Sequence, residues 1–338
     1  MGSKLIFDKK NILVLGGAGF IGSHLMDFLV KESKIICIDN FSSGSERNID
    51  HLLSNSNFRF IKHDMALPII LEDYSELADF KVEFQGIQEI YNLACPTSPK
   101  DFAKNRLANV LANSYVVKNG LDLALRYQAK YLHFSSSVVY GQRSSNEKRV
   151  MESEEGAVDQ LSDRASYDEG KRFAETMIKT YHDIFEIDAK IARIFRIYGP
   201  RMPLEEGHMI PDFITNAMDN KDLFIYGDAN FSTSLCYIDD CISGVVKLMS
   251  SDLFGPVNIG SDIDIKIIDV ANKIIADTGS SSQVVLADPL LFMTPLALPD
   301  ITLAREALTW MPLVTVENGL RKTIKDLEAN RGVKGMEV

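Results

Sequence analysis

Tyr167 and Lys171 stand four residues apart in SYDEGKRFAET, residues 166–176. On a helix that spacing stacks a phenol and an ammonium on one face, one turn apart. A free phenol ionises near pH ~10, too high for a base at neutral pH. A nearby ammonium stabilises the phenolate and lowers that pKa, so the pair can take a proton from an alcohol. On these residues alone a solvated surface pair explains the spacing as simply. Upstream, the run KYLHFSSS ends in Ser135, Ser136 and Ser137, followed by Val138, Val139, Tyr140 and Gly141. A serine at the end of such a run can hold a substrate oxygen and share its proton.

A second constellation gives these groups a partner. GGAGFIG supplies Gly16, Gly17, Gly19 and Gly22 directly after the apolar run NILVL and before HLMDFLVKES. Glycines between a strand and a helix let backbone amides approach a pyrophosphate at the positive end of the helix. The next run, KIICIDN, ends at Asp39, 23 residues beyond Gly16. A carboxylate there binds both hydroxyls of an adenosine ribose and repels a 2′-phosphate, which favours NAD over NADP. The alternative is a turn and a strand-end acid with structural roles only. With the dinucleotide motif present, Tyr167, Lys171 and a serine of the SSS run become the apparatus for oxidising an alcohol by hydride transfer.

The elements that must position these groups alternate. Short apolar runs at 11–15, 34–40, 58–64, 89–95, 130–137 and 189–195 read as strands. Helical patterns separate most of them, notably 105–127 and 167–185. This predicts an α/β fold, a doubly wound parallel sheet of Rossmann type with helices on both faces and a smaller C-terminal α/β lobe. The reading assigns 1–190 to a nucleotide-binding lobe and 191–338 mainly to a substrate lobe, with a strand near 254–261 that can return to the first sheet. GPRMPLEEGHMIP, 199–211, reads as a long functional loop.

The 338 residues are 46% hydrophobic and carry a net charge of −11, which disfavours nucleic acid or an anionic membrane as partner. The scattered Cys37, Cys95, Cys236 and Cys241 suit a reducing cytoplasm, and the six histidines form no ligand cluster, so no metal is expected. No apolar run is long enough to span a bilayer, and MGSKLIFDKK lacks a signal-peptide core. The first three residues read as a cloning remnant.

Together these motifs resemble the extended short-chain dehydrogenase/reductase family acting on nucleotide sugars, across almost the whole chain. GGAGFIGSHL, IDNFSSGSERNIDHL, HDM (63–65), YNLACPTSP (91–99), SSSVVYG (135–141), YDEGKRFAET and ARIFRIYGPRM (192–202) carry the likeness. Within the family it is nearest the UDP-glucuronate decarboxylases (UDP-xylose synthases). The resemblance implies a tightly held NAD and a catalytic set of Ser136, Tyr167 and Lys171. It implies cofactor contacts at Gly16, Gly19, Phe20, Ile21 and Gly22, at Asp39, Asn40 and Gly44, at Asp64 and Met65, and at Leu93 and Ala94. It implies a nucleotide-diphosphate sugar as substrate, contacted by Ser137, Arg196, Arg201 and Thr233, and a homodimer formed through a four-helix bundle of 103–127 and 167–185.

Four features depart from that pattern. Val138 stands where the decarboxylases and 4,6-dehydratases carry a glutamate, and valine cannot move a proton. Thr233 stands where an arginine is usual, and Arg196 where asparagine is usual; Arg196 either replaces the lost charge or forms a structural ion pair. About fifteen extra residues lie around 66–85. The resulting expectation is an enzyme that oxidises the sugar C4 hydroxyl, as a 4-epimerase or 4-dehydrogenase. UDP-glucuronate decarboxylation is the alternative, since a 4-keto-glucuronate loses CO2 without a dedicated acid. A 4,6-dehydratase is disfavoured, and a non-catalytic NAD-binding subunit lies outside this class.

Overall fold

The computed structural model describes residues 9–143, 149–228, 231–288 and 297–334; the first three residues, read above as a cloning remnant, lie outside these. Seven parallel strands form the main sheet: β1 (Asn11–Leu15), β2 (Lys34–Asp39), β3 (Phe58–Lys62), β4 (Glu89–Asn92), β5 (Lys130–Ser136), β6 (Ala189–Ile194) and β7 (Gly255–Ile259), in the order β7-β6-β5-β4-β1-β2-β3. The order reverses at β1, whose neighbours are β2 and β4, and the crevice of a doubly wound sheet opens there, at the C-terminal ends of the strands. Continuous apolar runs such as NILVL are buried along their whole length because helices cover both faces.

A boundary at residue 190 passes through β6, and β7, from the C-terminal half, pairs with β6 from Gly255↔Lys190 to Ile259↔Ile194. The C-terminal half therefore shares the main sheet. Its remaining strands form three two-stranded ladders, Ile197–Tyr198 with Cys236–Tyr237, Ser232–Ser234 with Asp264–Lys266, and Leu223–Tyr226 with Val284–Ala287.

Helix α1 (Phe20–Leu29) follows β1. Where periodicity predicts one helix over 105–127, α2 (Arg106–Leu111) runs into a π-helical segment, Ala112–Val116, and then α3 (Val117–Tyr127). The long α4 (Ala165–Phe185) packs beside them, and α5 (Met209–Met218) opens from the 199–211 loop.

The extra residues at 66–85 form short helical turns that bury Leu71, Leu77, Phe80 and Val82 in the core. They dock at the N-terminal edge of the sheet. Asn11 Nδ2 donates to Phe80 O and Gly86 O, both at 2.9 Å, and Lys34 lies over the Phe80 ring. Most of the insertion therefore sits at the end of the sheet opposite the crevice; Met65 and Ala66 at its start line it.

Candidate active site

A crevice of about 830 Å³ runs along the C-terminal ends of the strands, walled by both halves of the chain. Its first wall is the glycine turn. Gly16 has φ +77°, and a Cβ there would lie 2.7 Å from Ala94 Cα, so the ends of β1 and β4 approach too closely for any side chain. Gly19 precedes α1, and no side chain caps that helix. Its first-turn residues Phe20, Ile21 and Gly22 line the crevice, leaving the positive helix end open to an anion.

Asp39, at the end of β2, is held by two backbone donors: Ala18 N–H to Oδ2 at 2.9 Å and Phe41 N–H to Oδ1 at 2.8 Å. Burial raises its pKa while those donors oppose the rise. Asn40, Gly44, Asp64, Met65, Leu93 and Ala94 line the same half. An uncapped helix end, a close-approach glycine and a fixed strand-end carboxylate fit a dinucleotide with a free adenosine ribose.

The serine, tyrosine and lysine expected to do the chemistry lie one strand beyond β4. Ser136 is the last residue of β5, and its Oγ accepts from Val138 N–H at 3.4 Å, capping the short helix Ser137–Tyr140. Tyr167 sits in the first turn of α4 and lines the crevice beside Ser136, whose side chain acts to lower the phenol's pKa. Its ring meets Phe102 edge-on, centroids 6.1 Å apart. Lys171, one turn on, is buried; its Nζ donates to Phe134 O at 2.7 Å and lies 5.9 Å from the Tyr167 ring centroid.

The electrostatics differ from the expected lowering of the phenol pKa by Lys171. Burial raises the Tyr167 pKa and Cys95 adds to the rise, while Ser136 and Arg164 lower it. Burial also lowers the Lys171 pKa. The phenol is therefore protonated in this state, and a positive charge brought into the crevice favours its ionised form.

What fixes these residues is a buried network behind them. Ser135 Oγ donates to Glu175 Oε1 at 2.6 Å, and Arg193 donates to the same carboxylate from Nε at 3.1 Å and Nη2 at 2.7 Å. Arg193 also reaches Tyr140 Oη at 2.9 Å. Glu175 lies one turn past Lys171, so this network ties α4 to β5 and β6.

Of the expected substrate residues, Ser137 and Arg196 line the crevice, with Val138 beside them as an apolar wall. Arg201 and Thr233 are not among the lining residues. Arg201 Nη2 is held by Asp27 Oδ2 at 2.6 Å and His24 Nδ1 at 2.9 Å. Thr233 is buried in the ladder with Asp264–Lys266. Sequence reasoning missed Cys95, Phe102, Arg164 and His208, which line the crevice, and Asn113, whose Nδ2 donates to Cys95 Sγ at 3.5 Å. For Cys95 the ACPTSP motif was a usable signal; Asn113 is turned inward by the π segment, which leaves no pattern.

Known proteins are similar to this chain over most of its length. The pattern of the NAD dependent epimerase/dehydratase family matches residues 12–260. UDP-glucuronic acid decarboxylase 1 of Arabidopsis thaliana is 35% identical over 94% of this chain and 70% of its own length. The enzyme of that name from Xenopus tropicalis is 35% identical over 95% and 74%. Among solved structures, UDP-glucuronic acid 4-epimerase from Bacillus cereus, in complex with UDP-glucuronic acid and NAD, superposes with a TM-score of 0.80 at 29% identity, covering 95% of this chain and 99% of that one. No helix among the described residues is long and apolar enough to cross a membrane.

Proposed function

We propose, from the premise that this chain belongs to the NAD dependent epimerase/dehydratase family, that it oxidises the C4 hydroxyl of a nucleotide sugar. The outcome is 4-epimerisation or release of the 4-keto sugar. UDP-glucuronate is the substrate we assign, because both groups of relatives above are named for it. The observation that carries the reading is the convergence of Ser136, Tyr167 and Lys171 on one crevice whose other half fits a dinucleotide.

When bound, NAD⁺ supplies a hydride acceptor and a positive charge. The residues named for the glycine turn and Asp39 would hold it. Ser136 holds the C4 oxygen, and Tyr167, as phenolate, takes the hydroxyl proton. Lys171, fixed by Phe134 O and the Glu175 network, keeps a cation on the Tyr167 side of the crevice. The Val138 wall provides no group to move a proton at C5, which argues for redox chemistry at C4 alone.

A second reading, decarboxylation of UDP-glucuronate, is supported by the identity to the decarboxylases. After C4 oxidation the C5–carboxylate bond breaks, CO2 leaves, and the electron pair passes to the ketone as an enolate that is reprotonated at C5; return of the hydride first taken from C4, with a proton to the oxygen, then gives UDP-xylose. Incubation with UDP-glucuronate separates the two: UDP-galacturonate supports the first, and CO2 with UDP-xylose rejects it. The reading also includes pairing of two copies through 103–127 and 167–185, supported by the exposed Leu107, Val110, Tyr115 and Phe173 on those helices. A monomer in solution rejects that part.

A further inference from the structure

Arg196 is the cation that the chemistry above leaves unused. It lines the crevice just beyond β6, and no described carboxylate pairs with it; burial alone acts on its guanidinium. An uncompensated cation in such a place is costly. Of the other lysines and arginines of the wall, two are partnered and one lies at the rim. Lys171 donates to Phe134 O, Arg164 is paired with Asp168 at 3.0 Å, and Lys100 is exposed at the rim facing Asp212. The neighbouring His208 has its pKa lowered to about 4 by burial and by Arg196 itself. It is neutral near pH ~7, so it can donate a hydrogen bond but adds no charge. Thr233 offers none either.

The position of Arg196 decides which anion it meets. β6 is three strand spacings from β1, about 14 Å. The pyrophosphate cradle at Gly16–Gly22 is therefore a separate anion site. β6 is the immediate neighbour of β5, with Ser136 in register with Ile194, so Arg196 stands two residues beyond the strand partner of Ser136. Ser136 marks the sugar C4 in the reading above, on which this step rests. From C4 of a hexuronate the carboxylate carbon is two bonds away, through C5. The first phosphorus is five bonds away, through C5, the ring oxygen, C1 and the glycosidic oxygen. A cation beside the C4 anchor thus meets the carboxylate first.

We propose that Arg196 forms the ion pair with the C6 carboxylate of the substrate, and that it sets the preference for a uronate over a neutral hexose. A charge-assisted, bidentate pair of this kind accounts for about a 10- to 100-fold change in affinity.

The test is calorimetric binding of UDP-glucuronate, UDP-glucose and UDP to NAD-loaded wild type, Arg196→Asn and Arg196→Lys, with melting of each ligand-free protein. Arg196→Asn is expected to weaken UDP-glucuronate about 10- to 100-fold and to leave UDP-glucose and UDP within about threefold. Arg196→Lys is expected to keep part of the uronate preference. Ligand-free Arg196→Asn is expected to melt no lower than wild type, since an unpaired cation has been removed. An equal loss for UDP would assign Arg196 to the diphosphate and overturn the proposal. So would a lowered melting point without ligand, unchanged affinity for all three, or no uronate preference in the wild type. If the wild type binds none of the three, the parent reading falls as well; if it binds and converts UDP-glucuronate while the Arg196→Asn profile is flat, only this inference falls.

Discussion

Replacing Glu175 by alanine tests how α4 is held. The Glu175 carboxylate accepts three hydrogen bonds, one from Ser135 and two from Arg193, and the paired side chains are only 13% and 11% exposed. Removing it leaves the Arg193 cation buried beside an unpartnered hydroxyl, a loss of about 3–5 kcal/mol. With an unfolding entropy of ~2.1 cal/mol/K per residue, the 338-residue chain is expected to melt about 4–7 °C lower. Differential scanning fluorimetry reads this directly. Because Glu175 sits one turn from Lys171, turnover is expected to fall even below the melting range. The double variant Arg193→Met with Glu175→Met removes both charges and keeps apolar volume, so it should recover most of the lost stability. A single-variant drop under about 1 °C, or a double variant as unstable as the single one, would refute the claim that this buried pair anchors α4.

Tyr167→Phe should retain nucleotide-sugar binding while turnover falls about 10²- to 10⁴-fold, the usual contribution of a positioned acid–base group; loss of binding with unchanged turnover of bound substrate would reject the assignment. Gly16→Ala places a methyl 2.7 Å from Ala94 Cα at φ +77°, and the purified variant should carry no NAD by absorbance and mass spectrometry; normal NAD content would contradict the close-approach argument. His208 has a folded-state pKa depressed from 6.5 to about 4, so its share of stability is fully present above pH 6.5 and is lost as pH falls toward about 4. That share is roughly 3 kcal/mol. The urea midpoint of His208→Gln should accordingly fall less than that of wild type between about pH 7 and pH 4.5, and identical pH slopes would refute it.

Much of the architecture is legible because the chemistry of a buried parallel strand is local. NILVL, KIICID and KYLHFSS are apolar along most of their length and end at the residues that face the crevice, so the glycine turn, Asp39 and the serine run follow from where each run stops; the choice of Ser136 among the three serines comes from the family resemblance. Other features depend on contacts the chain makes at a distance. The π segment Ala112–Val116 leaves the apolar period of 105–127 intact while turning Asn113 toward Cys95. Arg201 is claimed by Asp27 and His24, far away in sequence, and Thr233 by a ladder with Asp264–Lys266. Nothing in the local residues announces those partners. The insertion at 66–85 hides its four buried apolar residues in irregular turns, so its docking on the far end of the sheet has no periodic signature. The phenol's raised pKa likewise comes from burial, which only the packed crevice reveals.

The central claim is that hydride leaves C4 of the sugar under the control of Tyr167. UDP-glucuronate carrying deuterium at C4 tests it most directly, with products and cofactor followed by mass spectrometry. The account predicts that the label is kept, at C4 of the product or on the reduced cofactor, and that turnover slows with the label. Deuterium lost to solvent, or product formed with the C4 label untouched at the original face and no slowing, would contradict it.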